Sequence, residues 1–233
     1  MSDFRQFVES IPTRELPPGY SVGEFGVGSY PFPPSPTVIE DLRHRPNLAW
    51  SFDNGKSYTG VDAGIVPPGH EYLGDVGYVR ELAERRLNEY AARVAERRPQ
   101  ENIRFLFADA TDQNLDIEPD ELLMFNLLSS NISPESRERL AQQAARLLLT
   151  NGLLVVRETF SPHLHPSSQL TALLGRVGFG PIEVVGIDHS AFESLTSYYG
   201  LTVHDLEVRS ARIKPRFDRY FCIAQRTEPT DRV

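Results

Sequence analysis

Cysteine is nearly missing from these 233 residues, with Cys222 the single example. No disulfide can form within the chain, which excludes a disulfide-stapled scaffold and agrees with a reducing compartment. Long apolar runs are missing too. No stretch approaches the roughly 20 residues that a membrane helix needs, and the opening MSDFRQFVESIPTRELPPGY has no apolar core of a secretion signal. The expectation is a cytoplasmic protein with no membrane partner. Positive charge is also short, with 24 Lys and Arg against 32 Asp and Glu and a net charge of −8. A nucleic-acid binder needs a concentrated basic face. In the most basic stretch, Arg80, Arg85, Arg86, Arg93, Arg97 and Arg98 are interleaved with Glu81, Glu84, Glu89 and Glu96. That pattern describes a solvated helix face with ion pairs four residues apart, so the charge weighs against nucleic acid. The apolar fraction of 40% suits a globular chain long enough to bury a sizeable core.

Glycine and proline are plentiful, and their placement organises the chain. In Ser21–Pro31, SVGEFGVGSYP, a short apolar run meets Glu24 and then Gly26 and Gly28. Glycines there let the backbone turn sharply and approach a ligand, since no Cβ blocks a positive φ. Four further apolar segments follow. SYTGVDAG ends in Asp62, IRFLFADATD delivers Asp109 and Ala110, ELLMFNLLSSN runs out at Asn126, and NGLLVVRETF follows a turn at Asn151 and Gly152. Separated by helical stretches, they form an alternating βα pattern, which predicts a mostly parallel sheet with helices on both faces. In such sheets a ligand sits at the carboxyl ends of the strands.

Around this frame, Phe4, Phe7, Val8 and Ile11 fit one face of a short leading helix ended by Pro17 and Pro18. Pro31, Pro33, Pro34 and Pro36 forbid helix until about Thr37 and leave Tyr30 and Phe32 on a stiff loop. Those rings either face a ligand or pack beneath the loop, and Trp50 reads as a packing anchor. Ser133 reads as a helix N-cap, with Pro134 in the first turn. After the fifth strand, His163 and His165 offer imidazoles that titrate near neutral pH. No third ligand stands near them, so no metal site is expected. Residues 188–218 form an insertion that carries Tyr198 and Tyr199, ahead of a last apolar run in which Cys222 is a buried strand residue.

Taken in order, these residues resemble the class I S-adenosylmethionine-dependent methyltransferases. Glu24-Phe25-Gly26-Val27-Gly28-Ser29-Tyr30 is similar to that family's acidic-x-G-x-G-x-G motif, with Tyr30 at the third glycine. Asp62 in GVD, Asp109 and Ala110 in ADA, LLLTNGLLVV and GRVGFGPIEVV follow in family order over about residues 20 to 225. The resemblance implies an α/β fold with a doubly wound, mostly parallel seven-stranded sheet closed by an antiparallel C-terminal strand pair. It implies a segment 1–20 that either covers the cofactor site or packs on the sheet edge, followed by a Rossmann-like domain over 21–233. S-adenosylmethionine would be the cofactor. Gly26 and Gly28 would hold its amino-acid part, Asp62 its ribose hydroxyls and Asp109 its adenine amine, with Glu24, Tyr30, Ala110 and Asn126 around them. The implied activity is methyl transfer to a small molecule, with His163 or His165 as base and Tyr198 next in line. NLLS after the fourth strand departs from the NPPY associated with planar amine acceptors. Three alternatives stay open: attack at another carbon of the cofactor, a non-catalytic binding module, and a nicotinamide-dependent oxidoreductase. The last would need a third glycine where Pro31 stands and an acid closer than Asp62. Oligomeric state is open.

Overall fold

A computed structural model describes residues 3–26, 57–62, 102–125, 127–128, 133–160, 167–199 and 218–227, with scattered helical positions between 81 and 92. Its centre is one seven-stranded sheet: β1 (Ser21–Phe25), β2 (Ser57–Asp62), β3 (Asn102–Phe107), β4 (Glu121–Phe125), β5 (Leu153–Phe160), β6 (Phe179–Gly186) and β7 (Asp218–Arg226). The spatial order is β3-β2-β1-β4-β5-β7-β6. The first five strands pair in parallel, and β7 runs antiparallel between β5 and β6. This is the doubly wound sheet with an antiparallel closing pair that the resemblance implied. The chain winds outward from β1 through β2 to β3, then returns past β1 to β4. That reversal makes the carboxyl ends of β1 and β4 a topological switch point, where open α/β sheets hold ligands.

Both sheet faces are covered, so the strands read as apolar runs rather than alternating ones. One face carries Phe25, Val61, Leu122, Met124, Leu154, Val156 and Cys222. It packs against α2 (Pro134–Leu147) and α3 (Ser167–Arg176), which contribute Leu140, Ala141, Ala144, Leu170 and Leu174. The other carries Val22, Tyr58, Leu123, Val155, Phe221 and Ile223 under α1 (Asp3–Ser10), the short 3-10 helix Ile11–Thr13 and α4 (Ala191–Tyr198). Each fully buried leucine contributes about 1.5–3 kcal/mol relative to exposure. Cys222 is buried as expected, and burial pushes its thiol up to about 12, so it stays protonated.

Local chemistry sets the boundaries. The Ser133 hydroxyl accepts the Ser136 amide at 3.2 Å, with Pro134 at the first helical position, as the sequence predicted for α2. The turn before β5 places Asn151 at φ +66, a conformation asparagine tolerates better than most residues. The predicted leading helix forms and buries Val8 and Ile11. It lies against β6, where Arg5 reaches Glu183 at 3.8 Å and His189 lies 3.6 Å from Glu9. Glu81, Glu84, Arg85, Asn88, Glu89 and Ala92 are helical and exposed, three and four residues apart along one solvated face. No described helix is long and apolar enough to cross a membrane.

Candidate functional site at the carboxyl end of the sheet

At the end of β1 the chain turns at Gly26, whose φ of +72 lies in the left-handed region. Its amide donates to the Val61 carbonyl at 2.9 Å, which fixes the turn against the end of β2. A Cβ built at Gly26 would stand 3.3 Å from Leu127 Cδ1, so a leucine from the segment after β4 closes over the glycine. Any larger residue would have to push it away.

The two predicted carboxylates stand at the next strand ends. Asp62 is the last residue of β2, half-buried, and its carbonyl accepts the Ala108 amide at 3.1 Å. Asp109 lies just beyond β3 and is exposed. Its Oδ1 accepts both the amide and the hydroxyl of Thr111, each at 2.8 Å, which fixes the side chain while leaving Oδ2 outside that turn. Ala110, half-buried, packs against the core on the α2 and α3 side. Gly26, Asp62, Asp109 and Ala110 thus come together along the carboxyl edges of β1, β2 and β3, in register through the parallel pairing.

Glu24 sits one step back inside the sheet. Only 4% exposed, it accepts the Tyr58 hydroxyl at 2.5 Å across the β1–β2 pair. Its surroundings are those of a group bracing the two strands that lead to Gly26 and Asp62. Gly28, Tyr30, Asn126, His163 and His165 lie outside the described residues, as do Phe32 and Trp50. Tyr198 closes α4, half-buried, with its ring 5.0 Å from that of Tyr199. Burial, and then the Glu121 carboxylate, push its phenol up to about 12. At neutral pH Tyr198 therefore carries its proton, and it lies beside Glu121, the first residue of β4, rather than at the strand ends that carry Gly26, Asp62 and Asp109. No group of three His, Cys, Asp or Glu side chains is arranged to hold a metal among the described residues.

Sequence reasoning overlooked Glu158. The β4–β5 pairing ends at Phe125 opposite Arg157, so Glu158 stands one residue past it, at the carboxyl end of the sheet. Its side chain is 0% exposed. Oε1 accepts the Leu128 amide at 2.6 Å, and Oε2 has no hydrogen-bond partner among the described residues. Burial raises its carboxyl to about 8, against the pull of the Leu128 amide, Arg157, the Leu127 amide and Arg137. A signal was present: Leu154, Val156 and Glu158 share one face of β5, and two of the three are core residues. A charged residue that continues a buried face calls for an explanation.

A second buried acid lies at the opposite end. Glu121, the first residue of β4, is also 0% exposed. It accepts from Arg14, from the Tyr20 hydroxyl at 2.8 Å and from the Tyr199 hydroxyl at 2.6 Å. Arg14 also donates to Tyr20 at 3.0 Å. Burial and the Glu121 charge hold both phenols well above the ordinary tyrosine value. Burial opposes the Arg14 charge, but Glu121 and the tyrosines outweigh it and raise the guanidinium above its usual value. This network ties the segment after α1, the start of β1 and the end of α4 to β4.

No family model and no curated protein matches this sequence. The fold does match solved structures. The [4+2]-cyclase SpnF superposes with a TM-score of 0.58 at 16% identity, covering 95% of this chain and 81% of that one. The Haemonchus contortus phosphoethanolamine N-methyltransferase 2, bound to phosphomonomethylethanolamine and S-adenosylhomocysteine, matches with a TM-score of 0.51 at 14% identity over 97% of this chain. This chain spans 53% of that protein's length. The CMeT domain of the citrinin polyketide synthase matches with a TM-score of 0.53 at 14% identity, over 92% of this chain and 49% of that one. The chain has the Rossmann-like fold of the class I S-adenosylmethionine-dependent methyltransferases.

Proposed function

We propose that this chain is an S-adenosylmethionine-dependent transferase that moves a methyl group onto a small-molecule acceptor. The observation that carries the reading is the glycine turn at the switch point. Gly26 is held at a positive φ under Leu127, beside carboxylates at the ends of β2 and β3. That edge fits the cofactor. A turn without a Cβ admits its amino-acid part, Asp62 would accept from its ribose hydroxyls, and Asp109 Oδ2 would accept from its adenine amine. Gly28, Tyr30 and Asn126 would complete the cradle, with Glu24 bracing it from within the sheet through Tyr58. When bound, the cofactor supplies an electrophilic methyl carbon on a sulfonium. The chain's own work is to align an acceptor with that carbon, exclude water and, where needed, take a proton. His163 or His165 would be the base. Segment 1–20 would be an appended helix, residues 188–218 a source of pocket walls, and the cytoplasm the working compartment.

A second reading has one observation in its favour. SpnF, a [4+2]-cyclase, matches over 81% of its own length, so the fold accommodates chemistry other than methyl transfer. On that reading the cradle would be kept and the reaction changed.

Calorimetry with S-adenosylhomocysteine tests the cradle. Asp62→Ala should weaken binding by about 10- to 100-fold, the loss of a charge-assisted hydrogen bond of roughly 1.5–3 kcal/mol, with the melting temperature nearly unchanged. Incubation with methyl-labelled S-adenosylmethionine and cell extract, read by mass spectrometry, then tests the chemistry. Label on a small molecule supports the transferase. Tight cofactor binding with no fragment of it transferred favours the second reading. A chain that binds NAD and ignores both sulfur nucleosides overturns both.

A further inference from the structure

We infer that Glu158 is a positioning residue that holds the segment after β4 against the cofactor turn, so that the acceptor side and the cofactor side of the site move as one unit. The inference rests on the cofactor reading above. Glu158 rises from β5 at the carboxyl end of the sheet and accepts the Leu128 amide at 2.6 Å. One residue earlier, the Leu127 side chain lies over Gly26, close enough that a Cβ there would meet it at 3.3 Å. Gly26 in turn donates to the Val61 carbonyl, next to Asp62. A short chain of contacts therefore runs from β5 through Leu128 and Leu127 to the glycine turn and the end of β2.

The tie is buried at its β5 end. Leu128 and Glu158 are both fully enclosed. A backbone N–H in such surroundings that loses its acceptor has no water to turn to, which makes the arrangement costly to break. Among the described residues, three charged or titratable groups surround the carboxyl: Arg157 on the same strand, Arg137 on α2, and Tyr220, which pairs with Glu158 across β5 and β7. The Nη1 of Arg137 is buried and, like Glu158 Oε2, makes no hydrogen bond among the described residues. Neither group is locked into a saturated ion pair of the Glu121 kind. Among the described residues, the hydrogen bond that Glu158 accepts comes from the segment that touches Gly26.

The test uses the full chain labelled with 15N-leucine, with S-adenosylhomocysteine as the probe. In the wild type, the Leu128 amide proton should stand downfield, as a short bond to a carboxyl oxygen requires, and should shift on addition of the probe. Glu158→Leu removes the acceptor and should weaken probe binding by about tenfold or more, the loss expected when a buried donor is left unpaired. Glu158→Gln keeps an oxygen for Leu128 and should recover most of that loss, ending within about threefold of wild type, because its amide oxygen accepts as the protonated carboxyl does. A wild type that does not bind the probe refutes the cofactor reading and this inference with it. A wild type that binds, with Glu158→Leu folded and binding equally well, overturns the inference alone. Glu158→Gln as weak as Glu158→Leu does the same, since charge rather than the hydrogen bond would then matter. Should Glu158→Leu fail to fold, the wild-type spectrum decides: a Leu128 amide that stays put at saturating probe overturns the coupling.

Discussion

Two buried glutamates sit at opposite ends of the same sheet, and they are treated differently. Glu121 opens β4 and is surrounded by donors: one guanidinium and two phenols. Glu158 lies past the last β4–β5 pair, accepts the Leu128 amide, and has an oxygen without a hydrogen bond among the described residues. Both are enclosed, so the difference lies in satisfaction rather than burial. A saturated buried charge is a fastener, because every lone pair that left water has found a partner. A half-satisfied one costs stability where it stands, and such groups gather where a site needs them. The acid at the amino end of β4 is saturated with donors, and the one at the carboxyl end of β5 is not.

Substitution tests that contrast in order of size. Arg14→Leu strands Glu121 without its cation, and breaking a buried pair costs about 3–5 kcal/mol. For a chain of this length that is a fall of roughly 6–20 °C in melting temperature, and urea unfolding should agree with the calorimetric trace. A change below a degree would show that the tyrosines alone satisfy Glu121. Tyr199→Phe removes one donor and leaves the ring, which packs against Phe125 and Phe221 at 5.9 Å each. The expected loss is about 1.5–3 kcal/mol, smaller than that of Arg14→Leu, and the reverse order would mean that Tyr199 is the principal partner. At the other end, Gly26→Ala forces a Cβ into a left-handed turn, at roughly 1–2 kcal/mol, and presses on Leu127 at 3.3 Å. Its effect on cofactor affinity should exceed its effect on stability. An alanine variant that binds S-adenosylhomocysteine normally would remove the turn from the site.

A further test of the contrast is a slope with pH. Glu158 titrates from the ordinary carboxylate value in the unfolded chain to about 8 in the folded one. Between those values the folded chain holds a proton that the unfolded chain has released, so stability falls as pH rises through that window and levels off above about 8. Glu158→Gln cannot lose that proton. Its melting temperature relative to wild type should therefore rise from pH 5 to pH 8 and stay level beyond. A difference that is flat across that range would mean that Glu158 is ionised in the fold.

Legibility in the sequence followed the range of the physics involved. Gly26, Asp62 and Asp109 were readable because each stands where a strand ends, and strand ends are marked locally by glycine and acidic residues after apolar runs. Ser133 was readable as a cap for the same reason. Glu158 was passed over because its neighbours in sequence, Arg157 and Thr159, make RET look like an ordinary polar strand end. Only the β4–β5 register brings it beneath Leu128, 30 residues away. Tyr198 and Tyr199 were taken together as insertion residues. The fold keeps them in contact, rings 5.0 Å apart, with Tyr199 buried on Glu121 and Tyr198 half-buried at the end of α4.

By itself the sequence determined the period of its apolar runs, the places where glycine and proline stop them, and hence the alternating order of strands and helices. Those are consequences of sterics and solvation acting over a few residues. The sheet order gathers the strand ends into one edge. The pairing of Arg14, Tyr20 and Tyr199 on one carboxylate, and the placement of Glu158 behind the glycine turn, belong to the tertiary structure alone. Burial and hydrogen-bond satisfaction are properties of what surrounds a residue, and for Glu121 and Glu158 those surroundings come from 30 to 107 residues away.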